Sequence, residues 1–134
     1  MLQTEQNPTD SAAAHAAREA AQALARKVAD SAIYKEFEAA ATAFREDAEA
    51  QKRFRAYQNA QRETQMMQSW SGSDGASVYR FRRVEKDLVT HPTYKRYLAA
   101  QEDMLIELRD LNAYLAEKLG FDFADLTKPA GGCC

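Results

Sequence analysis

Apolar residues recur every three or four positions along most of this chain, the spacing of a helix that buries one face. Leu24 and Val28 share a face in an Ala-rich stretch that Asp10 or Ser11 can cap, predicting a first helix to about Ala29. Asp30 and Ser31 offer a new cap, and Ile33, Phe37, Ala40 and Phe44 then predict a second helix to about Asp47. Ala50, Phe54, Tyr57 and Gln61 place a third on the same period, continuing towards Met67 and Trp70. Val78, Phe81, Glu85 and Leu88 define a short fourth with a mixed face. The last helix has the clearest pattern: Tyr94, Leu98, Gln101, Leu105, Leu108, Leu111 or Asn112, Leu115 and Leu119. Its alternating steps of three and four make a coiled-coil-like seam.

Helix-breaking residues fall between these stripes. Ser71-Gly72-Ser73-Asp74-Gly75 is the sharpest break, His91-Pro92 separates the fourth and fifth helices, and Gly120 is placed to cap the fifth. The expected organisation is a disordered segment over 1–10, a helical domain over 11–120 and an irregular tail over 121–134. The fold class is all-α, an elongated bundle of about five helices with a long C-terminal one. Ile33 to Ala40 and Thr93 to Ala100 echo each other weakly, which favours two helices meeting the same packing problem over a duplication.

Composition narrows the class further. With 134 residues, 46% hydrophobic and 28% charged, the chain suits one globular domain rather than wholesale disorder. Much of the apolar share is alanine, so narrow buried seams and help from a second subunit are expected. A net charge of −2 is too small to imply nucleic-acid or membrane binding by bulk electrostatics. Met1 to Asp10 lacks the basic start and apolar core of a leader, and no run approaches the roughly 20 apolar residues of a membrane span. The expected location is the cytoplasm.

Catalysis has little to work with. His15 and His91 lie far apart and neither has a nucleophile or carboxylate at a motif spacing. Gly72 and Gly75 are not followed by the Lys-Ser/Thr of a phosphate loop. No enzyme is expected. Arg80, Arg82, Arg83 and Lys86, with Phe81 among them, form the strongest basic cluster, and Lys52, Arg53, Arg55 and Arg62 add charge to the third helix. Such a face suits RNA backbone or an acidic protein partner; the commoner role is a solvated face, with Arg83 and Asp87 paired one turn apart. Gln58, Gln61, Gln65 and Gln68, with Met66, Met67 and Trp70, end the third helix, and Met and Trp there offer an adaptable contact surface. Trp70 is the best single interface anchor. Interface residues are expected at Met66, Met67, Trp70, Tyr94, Leu98, Leu105, Leu108 and Leu115.

Three stretches resemble the YlbF/YmcA family of bacterial regulators. These are Val28 to Phe37, with its Tyr-Lys-x-aromatic helix entry; Phe44 to Gln51, similar to the family's D-x-E-A-Q turn; and His91 to Ala100, which opens the terminal helix. Their order and spacing, over about Ala25 to Gly120, carry the match more than any one motif. The resemblance implies a helical bundle that oligomerises, alone or with a paralogue, and a regulatory adaptor without an active site. It also implies partnership with a YaaT-like protein and RNase Y in mRNA maturation, competence, sporulation and biofilm control. In some members C-terminal cysteines help hold a [4Fe–4S] cluster. Here Cys133 and Cys134, after Gly131-Gly132, are the only cysteines. Two thiolates fall short of the four such a cluster takes, so it would be shared between chains. The alternatives are therefore an iron–sulfur or redox sensor built on Cys133 and Cys134, and an RNA-binding module built on Arg80 to Lys86. The first helix is longer than the family leads one to expect.

Overall fold

The computed structural model describes residues 8–71, 75–122 and 125, and there the chain is helical with no strand. Five helices follow one another: α1 Pro8–Asp30, α2 Ala32–Glu46, α3 Ala48–Ser71, α4 Gly75–Val89 and α5 Pro92–Leu119. The fold is all-α, as the periodicity predicts. The chain divides into two compact units, Met1–Lys35 and Glu36–Cys134.

In the first unit α1 begins at Pro8, three residues before the expected start. Proline is tolerated in a first turn because its missing N–H would have no partner there, and its fixed φ already suits the helix. Only Leu24 and Val28 are half-buried between residues 11 and 30. The length of α1 therefore rests on alanine, the strongest helix former, more than on packing. Ser31 ends it and caps the next helix: its hydroxyl donates to the Val28 carbonyl at 2.6 Å and accepts from the Tyr34 N–H at 3.2 Å.

The second unit is built on one antiparallel helix pair and on contacts of α2 with the start of α5. Arg53 meets Asp87 and Glu63 meets Arg80, so residue numbers rise along α3 as they fall along α4. Glu36 meets Arg96, Phe37 meets Tyr97 and Asp47 meets Thr93, so α2 and its junction with α3 lie against the first turns of α5. Aromatic rings join these helices. Phe44 on α2 stacks on Tyr97 at 5.3 Å and lies 5.1 Å from Tyr94, both on α5, and meets Phe54 of α3 edge-on at 5.6 Å. Tyr57 and Phe81 pack at 5.4 Å between α3 and α4.

The buried positions are small: Ala40, Ala50, Ala60, Ala100 and Ser77, with Leu88 and Met104. This shifts two expected faces by one residue. Ala60, not Gln61, is buried on α3; Ala100 and Met104, not Gln101 and Leu105, are buried on α5. The physical reason is close approach. Where two helices touch, alanine lets the backbones come together, and longer neighbours are turned aside.

Junctions are tied by polar groups. Asp47 alone separates α2 from α3 and caps α3, accepting the Ala50 N–H on Oδ1 at 3.0 Å. Gln51 reaches back to the Phe44 carbonyl at 2.9 Å. His91, extended before Pro92, starts α5. Gly120 closes α5 with φ 76°, a left-handed conformation that glycine adopts without a Cβ penalty, and its N–H bonds the Ala116 carbonyl at 2.9 Å.

Leu88 is 1% exposed, the largest fully buried side chain among the described residues. Leu88→Ala is expected to lower the unfolding free energy by about 2–5 kcal/mol, read by urea denaturation.

Candidate functional site

Two of the family-like stretches meet in space. The Asp47 carboxylate, already capping α3, accepts from the Thr93 hydroxyl on Oδ2 at 2.5 Å and lies 3.9 Å from His91 Nε2. The α2–α3 junction is thereby pinned to the start of α5. The His91 ring is largely covered, and its Nδ1 is buried with no hydrogen-bond partner among the described residues. The Thr93 hydroxyl, then the Ala50 N–H, hold the Asp47 carboxyl below the usual carboxylate range. Glu36 is lowered chiefly by its hydrogen bonds from Arg96, at 2.8 and 3.0 Å, and Glu49 by its bond from Arg53. Sequence reasoning treated His91 as a helix boundary and missed Asp47 as the hub. An Asp before a helix signals a cap, but nothing in the pattern reveals a partner 46 residues away.

The knot ties the helix ends together through the Thr93 hydroxyl, the Asp47 carboxylate and the His91 ring. No group of three or more His, Cys, Asp or Glu among the described residues could hold a metal ion. His15 is exposed on α1, 3.4 Å from Glu19.

The expected seam on α5 divides in two. Its N-terminal end belongs to the chain's own core: Tyr94 sits among Phe44, Phe54 and Tyr97, burial pushes its phenol pKa up, and Leu98 is half-buried. Farther along, Leu105 is 47%, Leu108 42% and Leu119 52% exposed, with Asn112 and Leu115 half-buried between them. Leu105 lies roughly a quarter turn round the helix from the Tyr97–Ala100–Met104 face, whereas Leu108, one turn beyond Met104, continues that face and is still 42% exposed, so the chain's own cover thins along α5 beyond Met104.

Met66 and Met67 are exposed near the end of α3. The Trp70 side chain, Cys133 and Cys134 lie outside the described residues. On α4 the basic cluster splits by partner. Arg80 donates to Glu63 at 2.9 Å, whereas Arg82, Arg83 and Lys86 are exposed and make no ion pair among the described residues. The Arg83–Asp87 pair expected from spacing does not form; Asp87 instead offers its backbone carbonyl to Arg53 at 2.9 Å. An exposed pair gains too little to hold two long side chains in register. Arg82, Arg83 and Lys86 line, with Tyr79 and Asp87, a shallow depression of ≈ 520 Å³.

The family model described as control of competence regulator ComK, YlbF/YmcA, matches residues 17–120, well over half of the chain. The chain belongs to the YlbF/YmcA family. Membership makes it one of a family of competence-control regulators, and the match ends at the glycine that caps α5. Cys133 and Cys134 lie beyond the matched residues. No curated protein and no solved structure matches the chain. Among the described residues no helix is long and apolar enough to cross a membrane.

Depressed carboxyl pKa values fix the sign of the acid response. Folded Asp47, Glu36 and Glu49 bind protons less readily than in the unfolded chain, so their stabilisation is complete above the ordinary carboxylate range and is lost as pH falls through and below it. Melting temperature is expected to fall on acidification below about pH 4. Asp47→Asn should make that fall shallower, as followed by circular dichroism.

Proposed function

We propose that this YlbF/YmcA-family chain is a non-enzymatic regulatory adaptor of the cytoplasm. It oligomerises, with itself or a paralogue, and docks on protein partners. By family, those partners are RNase Y and a YaaT-like protein, and the process is mRNA maturation feeding competence, sporulation and biofilm control. The observation that carries this reading is the exposed heptad stripe of Leu105, Leu108 and Leu119, which continues α5 beyond the part that Tyr94, Ala100 and Met104 place in the chain's own core. Fully burying an exposed leucine is worth about 1.5–3 kcal/mol, and covering these half-exposed ones about half of that each, so such a stripe favours association. Met66 and Met67 add a second apolar surface for a partner.

Light scattering on the purified chain tests the association. Wild type is expected to be oligomeric, and Leu105→Glu/Leu108→Glu to be monomeric with its helix content retained. A monomeric wild type would remove the support for the adaptor. Loss of RNase Y and YaaT-like protein from affinity purifications of that variant would connect the stripe to the pathway.

The cysteine pair supports a second, narrower reading. Described residues supply no further ligand set, so one chain does not by itself fit a [4Fe–4S] cluster, and a shared one would draw Cys133 and Cys134 from each of two copies. Iron measured after anaerobic purification checks this. A sensor retains iron that Cys133→Ser/Cys134→Ser loses, and an iron-free wild type rejects it.

A further inference from the structure

Two exposed helix faces in the second unit mirror each other. On α4, Tyr79, Arg82, Arg83 and Lys86 follow the spacing i, i+3, i+4, i+7, which places an aromatic ring and three cations on one side of the helix. On α5, Asp103, Ile106, Glu107 and Asp110 follow the same spacing, placing an aliphatic side chain and three carboxylates on one side. All eight side chains are exposed; Tyr79 is 72% so. None of the six charges has an ion-pair partner among the described residues.

Like charges are neighbours within each face, with Asp87, one turn beyond Arg83, the acid that borders the basic one. Arg82 and Arg83 stand one turn from Lys86, and Glu107 stands one turn from both Asp103 and Asp110. Ion pairs do form elsewhere on the unit, as between Arg53 and Glu49, Arg80 and Glu63, and Arg96 and Glu36. The two faces are opposite in sign and equal in length.

We propose that the α4 basic face of one copy docks on the α5 acidic face of a second copy, head to tail. The contact rests on the reading that the chain oligomerises, but it uses a side of α5 other than the leucine stripe. Joined head to tail, each copy uses its α4 face towards one neighbour and its α5 face towards another, so the contact propagates to a ring or an open chain; a two-fold dimer would instead make both contacts at once. Tyr79 and Ile106 add apolar cover to the charge pairs. A nucleic acid suits the basic face less well, since the chain is net negative and only three cations there are unpaired.

Charge exchange tests the contact in the full chain. Sedimentation velocity is run on wild type, on Arg82→Glu/Lys86→Glu and on Asp103→Lys/Asp110→Lys, at low and high salt. Each variant alone is expected to weaken association at least about tenfold, since like charges then face each other. An equimolar mixture of the two should recover the wild-type value, because each acidic face finds a basic one, and so should the chain carrying all four changes. Recovery also shows that the variants fold. If wild type associates and the reversals change nothing, or the mixture stays weak, the head-to-tail contact is overturned while the leucine stripe still stands. If wild type stays monomeric, both readings fall. If the α4 reversal affects only salt-sensitive binding of a single-stranded RNA, the face belongs to nucleic acid and the proposal is wrong.

Discussion

The position of Phe44 governs how the second unit presents itself. Its ring contacts Phe54 on α3 and both Tyr94 and Tyr97 on α5, so one residue near the end of α2 sets how two other helices face. With Tyr97 held inward, Ala100 and Met104 follow one and two turns later and complete the buried face of α5. Leu105 then points roughly a quarter turn away, and Leu108, one turn beyond Met104, prolongs the inward face to where the chain's own cover thins. The exposed stripe that suggests an oligomer begins where the chain's own core ends.

Polar contacts reinforce the same geometry. Asp47 ends α2, caps α3 and takes a hydrogen bond from Thr93 at the start of α5, fixing the three elements at one point. Arg53 does similar work at the same end of the α3–α4 pair, donating to the Asp87 carbonyl near the end of α4, where the exposed carbonyls favour a cation. Few large side chains are fully buried, so these junctions contribute much of the specificity that a larger core would otherwise supply. The bulk of the charged residues remains on the surface, where sign and spacing describe what the unit is suited to meet.

The helices, their order and most of their ends were legible in the sequence, because period, caps and breaks are local properties. Ser31 and Gly120 cap as their chemistry demands, and Pro92 opens α5. The interaction surface was legible only in outline. The Tyr94 to Leu119 stripe reads as one continuous seam, yet Tyr94 is spent on the chain's own core and Leu105 and Leu108 are not. Arg83 and Asp87 have the spacing of an ion pair and do not form one, since spacing permits a contact without making it favourable. The acidic face of α5 went unnoticed because it is interleaved with leucines that dominate the pattern.

By itself the sequence determined the all-α class, the helix boundaries to within a few residues and the lack of catalytic or phosphate-binding motifs, all consequences of short-range chemistry. Tertiary structure alone decided which side of each helix is covered. Burial depends on what stands opposite, and Asp47 finds Thr93, and Phe44 finds Tyr97, only once residues some fifty positions apart have been brought together.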